Sequence, residues 1–281
     1  MKTAVVNTMT LYSKDELIAK FIELSEKGWV KNRRMGNSGG VGNTLEDYLG
    51  IEENNLPIPN AAEWELKAQR KNTTSLVTLF HSEPSPRALK FVPCVLLPHY
   101  GWQHKEAGRK YPETEMSFRQ TITCKYSDRG FCVKVDRDAE KILIVFNPLE
   151  VDPKHSDWLN QVYQNIDSGC TNICTMQPYW GFRDLSCKAG GKLLNCFYVQ
   201  ADVKREEGEE YYWYNSVKIL QNFSFKGFLD ALESNNIYID FDARSGHNHG
   251  TKFRMSESAW PLVYEKITPI IQDGEVLRTS Y

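Results

Sequence analysis

Hydrophobic positions recur along this chain at two different spacings. Near the N-terminus Leu17, Phe21 and Leu24 return every three or four residues, the period of one helix face. Ser13-Lys14-Asp15-Glu16 stands just before them. A serine followed three residues later by a glutamate can satisfy the free amides of a helix start from both sides. A helix over residues 14–27 is therefore expected. Asn43-Thr44-Leu45-Glu46 opens a second, short helix that Gly50 can close. Helical spacing returns at residues 156–166 and 224–234. Elsewhere apolar and polar residues alternate or form short β-branched and aromatic runs. Residues 63–68, 75–81, 131–135, 141–146, 193–203, 211–213 and 237–241 read as strands. Pro57 and Pro59 bracket a turn, and Gly190-Gly191 reads as a hairpin turn. The mixture indicates an α/β or α+β fold, with no internal repeat and no long linker.

Composition narrows the function classes. Hydrophobic residues make up 41% and charged residues 25% of 281, enough to build a folded core. A net charge of −2 argues against a protein that coats DNA with its whole surface, but a basic cleft can sit on a neutral body. No apolar run has the length of a membrane span, and Met1-Lys2-Thr3-Ala4-Val5-Val6 lacks the apolar stretch of a signal peptide. A cytoplasmic protein is expected, with its seven cysteines reduced. Cys170 and Cys174 have no second pair at zinc-site spacing, so free thiols are the reading. Without secretion, the glycosylation sequons at Asn72 and Asn222 carry no meaning. The run from Gly36 to Gly42 lacks the lysine of a phosphate-binding loop and does not match a dinucleotide fingerprint. Following the basic Arg33 and Arg34, it suits either a DNA phosphate backbone or a solvated turn. There is no Gly-x-Ser-x-Gly elbow to support a hydrolase of that type. Glu206-Glu207-Gly208-Glu209-Glu210 reads as an exposed acidic turn.

The segment from Asn60 to Arg70 carries the chemistry. On a strand, residues two apart share a face, so Glu63, Glu65 and Lys67 point one way while Trp64 and Leu66 point into the core. Carboxylates on a rigid strand can hold a hard cation, and a neighbouring lysine can orient a water or meet charge developing on a phosphate. Glu-x-Lys alone is a weak signal, since its usual meaning is an exposed charge pair.

Two longer blocks make the pattern specific. Gly42-Asn43-Thr44-Leu45-Glu46-Asp47-Tyr48-Leu49-Gly50-Ile51-Glu52-Glu53-Asn54-Asn55 followed by Glu65-Leu66-Lys67-Ala68-Gln69-Arg70, and Asp240-Phe241-Asp242-Ala243-Arg244-Ser245-Gly246-His247-Asn248-His249-Gly250-Thr251-Lys252-Phe253-Arg254, resemble the MvaI/BcnI family of restriction endonucleases. That family is related to the nicking enzyme MutH within the PD-(D/E)xK nucleases. The resemblance runs in order from Gly28 to Arg254. It implies a PD-(D/E)xK core with two lobes around a DNA-binding cleft. Lobes of 1–185 for catalysis and 186–281 for recognition are expected. It also implies a monomeric type II enzyme that cuts double-stranded DNA at a short C/G-rich site with Mg²⁺, for which Ca²⁺ or Mn²⁺ can substitute, and with no nucleotide cofactor.

Carried over position by position, the metal-binding glutamate falls on Glu65, the lysine on Lys67 and the helix glutamate on Glu46. The aspartate that follows a proline in the family falls on Asn60, after Pro59. Asparagine can still ligate through its amide oxygen but brings no charge, so weaker metal binding and slower cutting are expected. Three explanations stay open: a deliberate inactivating change, natural use of asparagine, or charge supplied by Glu63. Arg244, His247, Asn248, His249, Lys252 and Arg254 form a candidate recognition loop for base edges, against a plain polar loop or a His-x-His metal site. Arg33, Arg34 and Arg70 are candidate phosphate contacts. A MutH-like nicking enzyme and a catalytically silent DNA-binding protein remain as alternatives.

Overall fold

The structure, a computed structural model, describes residues 12–34, 39–51, 63–167 and 177–277. Asn60, with the flanking Pro57 and Pro59, and Cys170 and Cys174 lie outside the described residues. In chain order the elements are α1 (Lys14–Lys27), β1 (Val30–Lys31), α2 (Gly40–Leu49), β2 (Glu65–Arg70), β3 (Val77–His81), α3 (Leu97–Tyr100), β4 (Trp102–Gln103), β5 (Met116–Ile122), β6 (Arg129–Asp136), β7 (Lys141–Val151), α4 (Ser156–Asp167), β8 (Tyr179–Gly181), α5 (Phe182–Leu193), β9 (Asn195–Glu206), β10 (Glu209–Phe223), α6 (Phe225–Glu233), β11 (Ile237–Arg244), β12 (His247–Asn248), β13 (Lys252–Met255), α7 (Trp260–Val263), β14 (Tyr264–Gln272) and β15 (Glu275–Val276). The mixed α/β class follows directly. Among the described residues no helix is long and apolar enough to cross a membrane.

Two compact units divide the chain. The first takes Met1–Ser75, Lys188–Ser224 and Val263–Tyr281, and the second takes Leu76–Cys187 and Phe225–Leu262. A single cut at 185/186 therefore does not separate them. The cause is strand pairing, because β2 lies parallel to β9, with Glu65 beside Cys196 and Lys67 beside Tyr198. This ladder joins residues near 65 to residues near 200 in one sheet.

In the first unit the sheet order is β15-β14-β10-β9-β2, with β1 on β10. Helix α1 has both bonds of the capping box at Ser13 and Glu16, and it buries Leu17, Phe21 and Leu24. Phe21 and Trp64 pack on Phe197 with ring centroids 5.1 and 4.9 Å away. Each such fully buried apolar side chain contributes roughly 1.5–3 kcal/mol. Helix α2 packs against β2. It starts at Gly40, three residues earlier than its sequence suggests, so Gly40 and Gly42 are helical rather than part of a loop. A Cβ on Gly40 would come within 2.9 Å of the Tyr212 hydroxyl, so glycine lets the helix approach closely there. Gly50 closes α2 in the left-handed conformation, as expected.

Gly190-Gly191 is not a hairpin turn. Both glycines lie inside α5. Leu185, Ala189 and Leu193 are buried at four-residue steps on either side of them. That anchoring outweighs the helix cost of about 1 kcal/mol per glycine.

The second unit holds a sheet of order β3-β13-β11-β5-β4, with β12 on β11, and a three-stranded sheet β6-β7-β8. β11 alternates without a break: Ile237, Ile239, Phe241 and Ala243 are buried, while Tyr238, Asp240, Asp242 and Arg244 face the other way, half-buried. The buried side meets an aromatic core that includes Phe118, Phe228 and Phe253.

Candidate functional site

β2 places its residues by alternation. Leu66 enters the core with Trp64, Phe197 and Val199. Glu65, Lys67 and Gln69 take the opposite face, where the paired β9 residues are Cys196, Tyr198 and Gln200. The Tyr198 hydroxyl donates to Gln69 Oε1 at 2.5 Å, which ties the two strands together on this face.

Glu65 is 2% exposed. Its Oε1 accepts from Lys67 Nζ at 2.6 Å. Lys192 Nζ, from the last turn of α5, lies 3.8 Å from the same oxygen. Glu65 Oε2 is buried and has no hydrogen-bond partner among the described residues. Behind the acid, Cys196 Sγ sits 3.0 Å from the Tyr264 hydroxyl, which donates to the Leu193 carbonyl. Burial pushes the Cys196 thiol up to about 12, helped by the Glu65 charge and opposed by Lys67, Tyr264 and Lys192. Burial likewise raises Tyr264 well above the usual phenol value. Both groups therefore stay neutral and add no charge to the acid–lysine cluster.

Glu46 lies on α2, the helix that packs against β2. Glu63 is exposed, just ahead of the strand. Among the described residues no three acidic, histidine or cysteine side chains converge. The unpartnered Glu65 oxygen nevertheless suits a hard cation that takes its other ligands from water and from further oxygen donors.

The expected DNA-contact residues fall on both units. In the first, Arg34 makes a two-pronged pair with Asp47, at 3.1 and 2.8 Å. Arg33 stacks over the Tyr48 ring at 4.0 Å. Arg70 pairs with Glu210 at 2.9 Å. Glu210 overturns the reading of the acidic run as one exposed turn. Glu206 and Glu207 are exposed, but Glu210 is buried at 8% and also accepts from Asn32 Nδ2 and the Tyr212 hydroxyl. The strand alternation of β10 turns its side chain inward, onto Arg70 and Asn32 from distant parts of the chain.

In the second unit the recognition candidates sit on and beside the polar face of the β11 sheet. Arg254 pairs with Asp240 at 3.3 Å. Arg244 pairs with Glu115 at 2.9 Å and stacks on Tyr111 at 4.6 Å. Lys252 and Arg119 flank Asp242 at 3.9 and 3.5 Å. His247 and His249 are exposed with rings 4.2 Å apart, and Asn248 Oδ1 accepts from the Gly250 amide. A hollow of about 630 Å³ opens on this face beside Arg254, Asp240, Arg119 and Trp102. Sequence reasoning missed Arg119, Trp102 and Lys192. Their only sequence signal was residue type, and pairing across the sheet or helix packing brings them in.

The model of the MvaI/BcnI restriction endonuclease family matches residues 18–264. No curated protein matches the chain in a sequence comparison. Among solved structures, the restriction endonuclease MvaI in complex with its cognate DNA substrate aligns with a TM-score of 0.71 at 21% identity, covering 92% of this chain and 100% of that one. MvaI in the absence of DNA aligns at 0.50 and 22% identity, covering 94% and 100%. At such identities the structural likeness is one of fold. The family match spans both sequence blocks and every element of the Glu65 cluster, and on that basis the chain belongs to the MvaI/BcnI restriction endonuclease family.

Proposed function

We propose that this protein is a type II restriction endonuclease that hydrolyses double-stranded DNA at a short C/G-rich site with Mg²⁺, slowed by asparagine at position 60. The observation that carries the reading is Glu65: buried, paired with Lys67, and left with one unpartnered oxygen in a chain of this family. Glu65, Glu46 and Asn60 hold the cation. A bound Mg²⁺ supplies Lewis-acid polarisation of the scissile phosphate and acidifies the attacking water. Lys67 orients that water or meets the charge that grows on the phosphate. The neutral Asn60 withdraws one negative charge from the set, which weakens cation binding.

In this reading DNA is read by the polar face of the second unit. Arg244, Lys252 and Arg254 supply donors for guanine edges, with His247, Asn248 and His249 beside them. Arg33, Arg34 and Arg70 contact phosphates. The intramolecular acid partners of these cations hold the guanidinium planes in place before DNA arrives. Arg254→Ala is expected to cost about 1–3 kcal/mol of discrimination at one base pair, measured as kcat/KM on the cognate site against a singly altered site. Equal loss on both substrates would demote Arg254 to a phosphate contact.

The deciding experiment is plasmid cleavage by the chain and by its Asn60→Asp variant over a Mg²⁺ titration. The aspartate variant is expected to cut about tenfold faster or more, at fixed sites, with half-saturation at lower Mg²⁺. Equal rates remove position 60 from the cation site. Binding without cleavage by both proteins removes the nuclease activity.

A further inference from the structure

Resting on the nuclease reading, we infer that Lys192 is a second catalytic lysine, one that meets the scissile phosphate beside Lys67. The geometry begins at Glu65 Oε1, where two ammonium groups converge: Lys67 at 2.6 Å and Lys192 at 3.8 Å. The first distance is a charge-assisted hydrogen bond, and the second is a Coulombic contact beyond hydrogen-bond reach. One carboxylate oxygen does not need two cations for its own satisfaction, because Lys67 already supplies the donor. Bringing a second ammonium so close to the first costs repulsion that an anion near both would relieve.

The fold makes this placement firm. The side chain of Lys192 is only 15% exposed. Leu193, next to it, is fully buried, and its carbonyl takes the Tyr264 hydroxyl at 2.9 Å, so the last turn of α5 is pinned. The negative end of the helix dipole explains a lysine in a last turn that faces water. It does not explain one turned inward onto a buried acid. Lys188, one turn earlier on the same helix face, is also half-buried.

The roles then separate by position. Lys67 is held on the acid and serves the attacking side. Lys192, further from the acid, meets a non-bridging phosphate oxygen as charge gathers there in the transition state. No proton transfer is required of it, and its ammonium acts as a fixed charge.

The test uses the full chain carrying Asn60→Asp, with Lys192→Met and Lys192→Arg added singly. Single-turnover cleavage, half-saturating Mg²⁺ and thermal melting are measured for each. Lys192→Met is expected to lower the cleavage rate about a hundredfold while its Mg²⁺ requirement and melting stay those of the parent, and Lys192→Arg is expected to recover most of the loss. Parent-like cleavage by Lys192→Met overturns the inference and leaves the nuclease reading standing. Should Lys192→Met lose its rate only together with melting temperature or Mg²⁺ affinity, and Lys192→Arg do the same, the residue is structural and the inference fails. Absence of Mg²⁺-dependent cleavage by the parent overturns the nuclease reading, and the role of Lys192 with it.

Discussion

Glu65→Gln is expected to abolish cleavage, with a fall in rate of about a thousandfold or more when measured in the Asn60→Asp background. The substitution is nearly isosteric, so the change lies in charge. Glutamine keeps an oxygen that can accept from Lys67, but the oxygen left for a cation is replaced by an amide nitrogen or carries no formal charge. Two lysines would then face each other without their acid, Lys67 being only 11% exposed on its side chain. Some loss of stability is therefore expected as well. The double variant Glu65→Gln/Lys67→Met separates the two effects. It removes the nearer of the two stranded cations and is expected to regain melting temperature without regaining cleavage. A Glu65→Gln protein that cuts at the parent rate with an unchanged Mg²⁺ requirement would falsify the assignment of this acid.

Elements whose determinants are local were legible in the sequence. Helix α1 has the bounds expected of it because its capping box and its apolar stripe lie within fourteen residues of each other. The face shared by Glu65 and Lys67 was legible for a similar reason, since strand alternation needs no knowledge of the partner strand. What escaped depends on distant packing. Gly190 and Gly191 are helical because Leu185, Ala189 and Leu193 are anchored by the fold around them. The early start of α2 depends on Tyr212, more than 160 positions away, meeting a glycine backbone. Lys192 gains its place beside Glu65 only once β2 pairs with β9 and α5 ends against that sheet. Glu210 sat in a run of acids whose composition reads as solvated, and only its register on β10 distinguishes it from Glu206. The second unit repeats the lesson: Arg119 carries no motif, and the β5–β11 ladder sets it opposite Asp242.

That buried acid leads to the largest stability effect expected outside the active site. Glu210→Ala should destabilise the protein by about 3 kcal/mol, read as a lowered urea midpoint at neutral pH. Glu210 Oε1 accepts from Arg70 at 2.9 Å, from Asn32 at 3.2 Å and from the Tyr212 hydroxyl. Asn32 Oδ1 in turn accepts from Thr44 Oγ1 on α2 and from the Arg34 amide. Alanine would take this acceptor from three donors, two of them on the buried Asn32 and Tyr212, while Asn32 Nδ2 would keep the Tyr212 oxygen at 3.2 Å. Arg205, on the other carboxylate oxygen at 3.3 Å, is 75% exposed and adds little. Burial on its own would raise the Glu210 carboxyl, but the Tyr212 hydrogen bond and the Arg70 and Arg205 charges outweigh it and leave the group below its ordinary 4.5. Its contribution is therefore complete above pH 4.5 and is lost as pH falls through the lower folded value. Glu210→Gln keeps one acceptor oxygen without the charge, so it should lose less stability than alanine and show a shallower loss in acid than the parent. If the alanine variant unfolds at the parent's midpoint, the Asn32–Glu210 network contributes nothing net. If both variants retain the parent's acid profile, the titrating group that governs it lies elsewhere.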